Sequence, residues 1–216
     1  MKTITEMKPT TEKKNLLTAN VDKAYIKKAI SYPAYRRLID TFLQPEKSTA
    51  PKYSDSLMEY TRLNAVRMNR LDKTTEIIPE LKDVITQINK PQTWLVLTEG
   101  WCGDAAQIIP ALHKVASLNE NIALGFLLRD DNLELMDMYL TNGKSRSLPK
   151  LIVLDDNNNE LFNWGPRPVV LQELFYDLKA KGLVEDAIKE EIHKWYAQDK
   201  TVTIQIELLE ILNNIV

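Results

Sequence analysis

Cysteine is almost absent from this sequence: Cys102 is the only one in 216 residues. A single thiol excludes an internal disulfide framework and is typical of proteins in a reducing compartment. Histidine is nearly as scarce, with two examples, His113 and His193. One cysteine and two distant histidines do not have the spacing of a zinc site. We therefore predict that the protein uses no metal and no other cofactor.

Long apolar runs are also missing. Residues 1–20 lack the apolar core of a signal peptide, and no later run approaches the length of a membrane span. With 44% hydrophobic and 27% charged residues, the composition is that of an ordinary globular protein. We therefore expect a cytoplasmic protein with no membrane partner.

The net charge is small, at −2, but it is unevenly distributed. Residues 1–90 carry an excess of basic residues, and residues 91–216 carry an excess of acidic ones. Opposite charges on two parts of one chain are consistent with mutual docking, although single surface pairs contribute little stability. Acidic residues interrupt the basic ones, and no aromatic–basic pattern for base stacking accompanies them. We therefore predict no nucleic-acid partner.

The spacing of apolar residues divides the chain into three zones. Residues 1–90 form a polar tail and a helical extension, residues 91–182 form an α/β core, and residues 183–216 form helices that pack on the core. A long helix is predicted from Ser56 towards Pro79, which either interrupts it or begins the next helix. The apolar stripe of the long helix fits either the core or the interface of a homodimer.

Cys102 lies where a strand gives way to a helix. Residues Thr93–Thr98 are β-branched, aromatic and aliphatic, which is typical of a strand, and Ala105–Val115 has apolar residues at helical spacing. A thiol in the first turn of a helix lies near unpaired N–H groups and the positive end of the helix dipole, which both favour the thiolate. We therefore expect Cys102 to be accessible and nucleophilic; the alternative is a small buried hydrophobic residue.

The segment Trp101-Cys102-Gly103-Asp104-Ala105 resembles the active-site motif of the thioredoxin family. Further landmarks follow in the order found in that family: Pro110 inside the helix, Ser147-Leu148-Pro149-Lys150 before an apolar strand, and Gly165 after a hairpin. The resemblance covers roughly residues 90–180. It implies an α/β fold with a thioredoxin-like central mixed sheet flanked by helices. To this core the chain adds an N-terminal helical extension and additional C-terminal helices.

Two positions depart from the family pattern. Ala105 stands where thioredoxins have their second cysteine, so no intramolecular disulfide can form. A mixed disulfide at Cys102 would need an external thiol for its release. Val96 stands near the position of a buried acid that assists proton transfer in thioredoxins. Both departures weigh against a general disulfide reductase, although single-cysteine members of the superfold exist.

The resemblance also assigns roles to residues around the motif. Cys102 would be the catalytic nucleophile. The expected substrate-binding residues are Trp101, Gly103, Leu148 and Pro149. In thioredoxins the backbone just before the cis-proline faces the reactive cysteine and pairs with an extended substrate peptide, and Pro149 has the position of that proline.

The acidic residues and the histidines have weaker assignments. Asp104 and Glu99 are candidate modulators of the thiol, but acids in a first helical turn mostly complement the dipole, and Glu99 is expected to face water. His113 lies about 16 Å along the helix from Cys102 and is expected to be solvated. His193 has no nearby ligand pattern in the sequence.

Two functional hypotheses follow. In the first, Cys102 carries out single-thiol exchange with a protein disulfide or a low-molecular-weight thiol, as a monothiol oxidoreductase of the thioredoxin family with a role in cell redox homeostasis. In the second, the protein is a redox-silent module that binds a peptide or protein through the same groove. Whether the protein is an enzyme stays open, because the sequence provides a nucleophile and no evidence of turnover.

Overall fold

A mixed four-stranded sheet forms the centre of the described part of the chain. The computed structural model describes residues 19–43 and 55–215, so the predicted tail lies almost entirely outside it. The strands are β1 (Gln92–Thr98), β2 (Ile122–Leu128), β3 (Lys150–Leu154) and β4 (Glu160–Trp164). Their order is β2–β1–β3–β4, with β1 parallel to β2 and the other two pairs antiparallel. The sheet and its surrounding helices confirm the predicted fold class.

Helices precede, connect and follow these strands. Before the sheet lie α1 (Lys23–Lys28), α2 (Tyr32–Phe42), α3 (Asp55–Thr74) and α4 (Pro79–Thr86). Between strands lie α5 (Gly103–Ala116), a 3₁₀ turn (Arg129–Asp131) and α6 (Leu133–Asp137). After β4 come α7 (Val169–Ala180), α8 (Glu185–Asp199) and α9 (Val202–Leu212). Pro79 is predicted either to interrupt the long helix or to begin the next one, and it begins α4. At the first position of a helix the backbone N–H has no partner within the helix, so proline loses no hydrogen bond there.

The two central strands are buried on both faces. In β1, the side chains of residues 94–97 are each at most 1% exposed, and every residue of β3 is buried. A strand covered on both faces needs apolar residues at successive positions rather than at alternate ones. This explains the uninterrupted apolar runs in the sequence, and it places the end of β1, just before Cys102, on a rigid base.

The N-terminal segment covers both edges of the sheet. Ile30 exchanges two backbone hydrogen bonds with Phe126 of β2, at 2.9 and 2.8 Å. At the opposite edge, Asn20 forms a bridge with Asn159, just before β4. Gly125 permits the close approach at β2, because a Cβ at that position would lie 2.7 Å from the Cβ of Ala29. These contacts pair part of the backbone at each edge, which shortens the stretch of edge strand that another chain could pair with.

The helical extension packs on the core in the same chain. α3 lies against α5, and its Met68 is buried in the same hydrophobic cluster as the sheet. Leu71 of its apolar stripe is buried as well. Leu63 and Val66 of α3 remain exposed. The stripe of the long helix therefore contributes at least partly to the core, which was one of its two predicted roles.

The C-terminal helix α9 is joined to the core by two polar side chains. Gln205 is fully buried; its Oε1 accepts a hydrogen bond from the N–H of Ile78, and its Nε2 donates to the carbonyl of Glu76. Glu207 accepts hydrogen bonds from the indole N–H of Trp164 and the N–H of Val169, both at 2.7 Å. These contacts fix α9 against the start of α4 and the end of β4.

Some element boundaries differ from the predicted ones. The apolar spacing over residues 133–140 predicts a single helix, but α6 ends at Asp137, because the chain turns there towards a small loop closed by the Thr141–Ser145 bridge. α8 and α9 are separated by Lys200 and Thr201, which both have left-handed backbone conformations. Within the described ranges, no helix is long and apolar enough to cross a lipid bilayer.

The role of Gln205 can be tested by replacement with leucine. We expect Gln205→Leu to lower the free energy of unfolding by about 1 to 3 kcal/mol, because the N–H of Ile78 and the carbonyl of Glu76, both partly buried, lose their partner. Gln198→Leu on the exposed side of α8 is the control and should change it by less than about 0.5 kcal/mol. Urea denaturation measures both variants, and equal effects would contradict the role assigned to Gln205.

Candidate functional site

A pocket of about 390 Å³ opens above the N-terminus of α5. Its floor is formed by residues 101–104 and by the loop at Ser147 and Leu148. One wall comes from α3 and another from α8. All three zones predicted from the sequence therefore contribute to one pocket, and no sequence motif indicates the contributions of α3 and α8.

The structure brings together most of the predicted site residues. Those that line the pocket are Trp101, Cys102, Gly103, Asp104 and Leu148. Pro149 follows a cis peptide bond and is buried below the pocket, where its carbonyl oxygen lies 2.4 Å from the position that a Cβ on Gly165 would occupy. Pro149 thus shapes the loop from beneath and does not line the pocket.

Cys102 is the N-cap residue of α5. Its Sγ accepts a hydrogen bond from the N–H of Ala105 at 3.5 Å. The thiol in turn donates to the carbonyl oxygen of Leu148 at 3.5 Å. The side chain borders the pocket but is only 8% exposed. This corrects the expectation of an accessible thiol: Cys102 lies at the floor, held between the helix and the loop before Pro149.

The thiol is also protonated, which corrects the expected thiolate. Burial, followed by the charge of Asp104, raises the pKa of Cys102 to about 12. The N–H groups of Ala105 and Asp104 and the charge of Arg167 act in the opposite direction, as predicted for a helix N-terminus, but their effect is smaller. Desolvation outweighs the helix terminus because a thiolate loses its hydration on burial.

Asp104 belongs to a buried polar cluster. Its carboxylate forms an ion pair with Arg167 at 2.7 Å, and the hydroxyl of Tyr196 donates to it at 2.8 Å. Arg167 also lies over the ring of Phe175, at 4.5 Å from the ring centroid. Burial lowers the pKa of Arg167, but the charge and the hydrogen bond of Asp104, together with smaller contributions from Tyr196 and Cys102, raise the net pKa above its ordinary value. Asp104 therefore does more than complement the helix dipole: it joins α5 to α8 and to the segment after β4.

Glu99 does not face water, contrary to expectation. It is 1% exposed, and its carboxylate accepts a hydrogen bond from the N–H of Asp130 at 2.9 Å. Its carbonyl oxygen accepts from the N–H of Cys102 at 3.1 Å. Glu99 thus connects the loop after β1 to the turn after β2 and supports the motif from behind, outside the pocket lining.

His193 is the site residue that sequence reasoning missed. Its Cε1 and Nε2 lie 2.9 and 3.0 Å from the position that a Cβ on Gly103 would occupy. Its Nδ1 lies 3.4 Å from the side-chain nitrogen of Gln107. Burial, then the charges of Arg67 and Arg167, lowers the pKa of His193 to about 4, so the ring is neutral at pH 7. No sequence signal relates this histidine to a motif 90 positions earlier.

Gly103 has a structural role besides the expected one. The resemblance gives Gly103 as a substrate-binding residue, which stays a prediction, and Gly103 lines the pocket. In the structure the space beside it is taken by the His193 ring, so the glycine first of all admits α8.

Arg67 of α3 also reaches the pocket. Its Nη1 donates to the Oδ1 of Asn64 at 2.8 Å, and the Nδ2 of Asn64 donates to the carbonyl of Gly100 at 3.0 Å. The helical extension therefore holds the loop before the motif. On the other side of the pocket, the guanidinium of Arg129 lies 5.1 Å from the ring centroid of Trp101, within cation–π range.

The other histidine is not solvated, contrary to expectation. His113 is half-buried and stacks on Tyr32, with ring centroids 4.1 Å apart. Burial lowers its pKa. In the part of the chain that the structure describes, no group of three or more His, Cys, Asp or Glu residues is arranged to hold a metal ion.

Comparisons with known proteins identify the family. A family model described as Thioredoxin matches residues 50–201. This match covers more than half of the chain, and the chain belongs to the thioredoxin family. The matched range includes α3 and α8, so it contains both helical walls of the pocket. No curated protein matches the chain.

Two solved structures are similar in fold. One is a protein of unknown function from Pseudomonas aeruginosa, with 17% identity, a TM-score of 0.56 and coverage of 89% of this chain and 96% of the other. The second is an HIV epitope-scaffold, with 16% identity, a TM-score of 0.56 and coverage of 89% and 98%. At these identities the similarity shows the fold alone.

The protonated state of Cys102 predicts slow alkylation. At pH 8, iodoacetamide should modify the folded chain at least about tenfold more slowly than the denatured chain, because the thiolate fraction is far smaller. The rate should still be rising at pH 10. Intact mass reports the modification without ambiguity, since the chain has one cysteine. A midpoint below about 8.5 would contradict the raised pKa.

Asp104→Asn should have two effects. Loss of the buried charge partner of Arg167 should lower the free energy of unfolding by about 3 kcal/mol. Loss of the negative charge beside the thiol should lower the pKa of Cys102 and speed its alkylation at pH 8 by at least about threefold.

Asp137→Asn is the matched control for this variant. Asp137 also pairs with an arginine, Arg146, but both side chains are nearly half exposed. Its replacement should therefore cost less than about 1 kcal/mol and leave alkylation unchanged. Denaturant titration gives the free energy of unfolding of each variant, and alkylation rates are measured under conditions where both variants are folded. If Asp104→Asn and Asp137→Asn gave the same values, the role assigned to Asp104 would be refuted.

Proposed function

We propose that the protein is a redox-silent binding module of the thioredoxin family, which holds an extended peptide segment of a partner protein in the pocket above α5. The observation that carries this proposal is the state of Cys102, which is buried, protonated and hydrogen-bonded at the floor of an open pocket. The thiolate is the nucleophile in disulfide exchange. A pocket whose thiol is kept protonated is better suited to binding than to exchange.

The size and lining of the pocket support a ligand. Its volume of about 390 Å³ lies in the range of known ligand sites. Trp101, Leu148, Ile188 and Ile192 line the pocket with apolar side chains, and a partly exposed tryptophan such as Trp101 is a common anchor in protein interfaces. These contacts suit side chains that alternate along an extended peptide.

The loop before Pro149 supports a peptide in particular. By its resemblance to thioredoxins, this loop would pair through its backbone with an extended segment, and Leu148 lies at the edge of the pocket. The carbonyl of Leu148 also accepts from the Cys102 thiol. In this arrangement the cysteine fixes the loop that the peptide would meet.

Single-thiol exchange is the second candidate, and one observation favours it. The thiol borders the pocket, and the N–H groups of Ala105 and Asp104 are directed at its sulfur. In that reaction the deprotonated Cys102 would attack a substrate disulfide and expel one thiolate, and an external thiol would then release the adduct. A bound substrate would first have to offset the burial and the charge of Asp104 that keep the thiol protonated.

Cys102→Ser distinguishes the two candidates. Random heptapeptides displayed on phage provide the probe, and the sequences enriched on the wild-type chain are synthesised for calorimetry. A binding module predicts that Cys102→Ser retains their affinity within about threefold, because serine preserves the shape and hydrogen bonding of the thiol. Trp101→Ala should weaken binding at least about tenfold, and Val184→Ala, on an exposed residue of the α7–α8 connection, should not.

Adduct formation gives the complementary measurement. Cystamine at pH 7.4 should modify the denatured chain and leave the folded chain unmodified, as read by intact mass. A stable mixed disulfide on the folded chain, together with a loss of peptide affinity above about tenfold in Cys102→Ser, would replace the binding module with thiol exchange.

A further inference from the structure

Basic side chains outnumber acidic ones in the lining of the pocket. Five basic side chains line it: Arg67, Arg129, Arg146, Arg167 and Lys189. Two acidic side chains, Asp104 and Glu185, share the lining. A concave site with an excess of one sign attracts a ligand of the opposite sign. The pocket is therefore complementary to an anionic group, whereas its apolar wall is complementary to a hydrophobic one.

Most of these cations already have an acidic partner. The ion pairs are Arg129–Asp130, Arg146–Asp137, Arg167–Asp104 and Lys189–Glu185. Arg67 is different, because the partner that the described residues give it is the neutral side-chain amide of Asn64. Burial, then the neighbouring charge of Arg70, lowers the pKa of Arg67. A partly desolvated guanidinium that contacts a neutral group favours the arrival of an anion.

A second donor lies beside Arg67. The Nη1 of Arg67 is 3.9 Å and the Nε2 of His193 is 3.0 Å from one point, the position that a Cβ on Gly103 would occupy. When the side-chain amide of Gln107 donates to Nδ1 of His193, the ring proton is on Nε2. Two N–H donors from different helices, α3 and α8, then lie beside the backbone of Gly103, and both residues line the pocket.

We propose that Arg67 and His193 form a carboxylate-binding subsite beside Gly103, and that the ligand is an acidic peptide segment whose carboxylate they bind. This inference rests on the proposed function and names the chemistry of its ligand. The guanidinium would donate to one carboxylate oxygen and the imidazole Nε2–H to the other. Apolar side chains that flank the acidic residue would contact Trp101 and Ile188.

The carboxylate could come from an Asp or Glu side chain or from a free C-terminus. Both sources present the same planar group to Arg67. A peptide with an amidated C-terminus separates them, because amidation removes the terminal charge and leaves an acidic side chain in place.

The selection of displayed heptapeptides tests the ligand class. The wild-type chain should enrich peptides with an acidic residue at one fixed position or with a free C-terminal carboxylate. For an enriched peptide, replacing Glu by Gln, or amidating the C-terminus, should weaken binding to the wild type about tenfold. The same replacement should have no effect on binding to Arg67→Gln, since the partner of the carboxylate is already absent.

Arg70→Gln is the matched control. Arg70 lies one turn further along α3, is exposed and does not line this pocket, and the substitution changes the net charge equally. It should alter the affinity for the acidic peptide by less than about twofold. Arg67→Lys, which retains the charge without the planar fork, should give an intermediate affinity. Thermal unfolding of each variant establishes that it is folded.

A titration with glutarate separates this inference from the proposed function. Glutarate is a carboxylate probe without a peptide backbone, and binding should shift the amide resonance of Gly103 and the ring resonances of His193 in the wild type but not in Arg67→Gln. Peptides enriched without an acidic preference, or glutarate shifts that persist in Arg67→Gln, would overturn the carboxylate subsite. If no peptide is enriched but glutarate still causes shifts that depend on Arg67, the peptide-binding function is overturned and the carboxylate subsite stands. Failure of both probes would overturn both.

Discussion

The buried ion pair between Asp104 and Arg167 is the interaction on which the arrangement of the pocket depends. It joins the first turn of α5 to the segment after β4, and Tyr196 of α8 donates to the same carboxylate. Removal of either charge would leave the other buried without a partner, which is among the most costly changes in a protein interior. The pair therefore holds α8 beside the motif and places a negative charge next to the thiol. Asp104 thus contributes to the position of α8 and, after burial, to the raised pKa of Cys102.

Two electrostatic effects act in opposite directions on the pKa of Cys102. The helix terminus provides N–H groups and a positive dipole end, and these favour a thiolate as they do in other proteins of this family. Burial and the Asp104 carboxylate oppose them and prevail. The helix terminus and the charge of Asp104 can be read from the sequence, because both depend on residues next to the cysteine. The burial depends on the walls of the pocket, which are distant in the sequence.

The sequence predicts what depends on neighbouring residues. The apolar patterns predict a strand over residues 122–128 and a helix over residues 169–180, and these match β2 and α7. Cys102 lies at the start of a helix, as its sequence context indicates. Glu99 and His193 were misjudged or overlooked, since the groups that they contact lie 31 to 90 positions away. Their burial follows from tertiary packing, and periodicity does not report it. The three-zone domain division stays a prediction, while the pocket draws on all three zones.

The contact between Gly103 and His193 couples the motif to the C-terminal helix. Gly103 has no left-handed backbone conformation to require glycine; the imidazole ring is what leaves no room for a Cβ. The two positions thus form one steric unit, in which a larger residue at 103 demands a smaller or displaced one at 193. In this chain the motif glycine therefore makes room for a helix outside the central sheet, and we expect the two sites to change together between relatives.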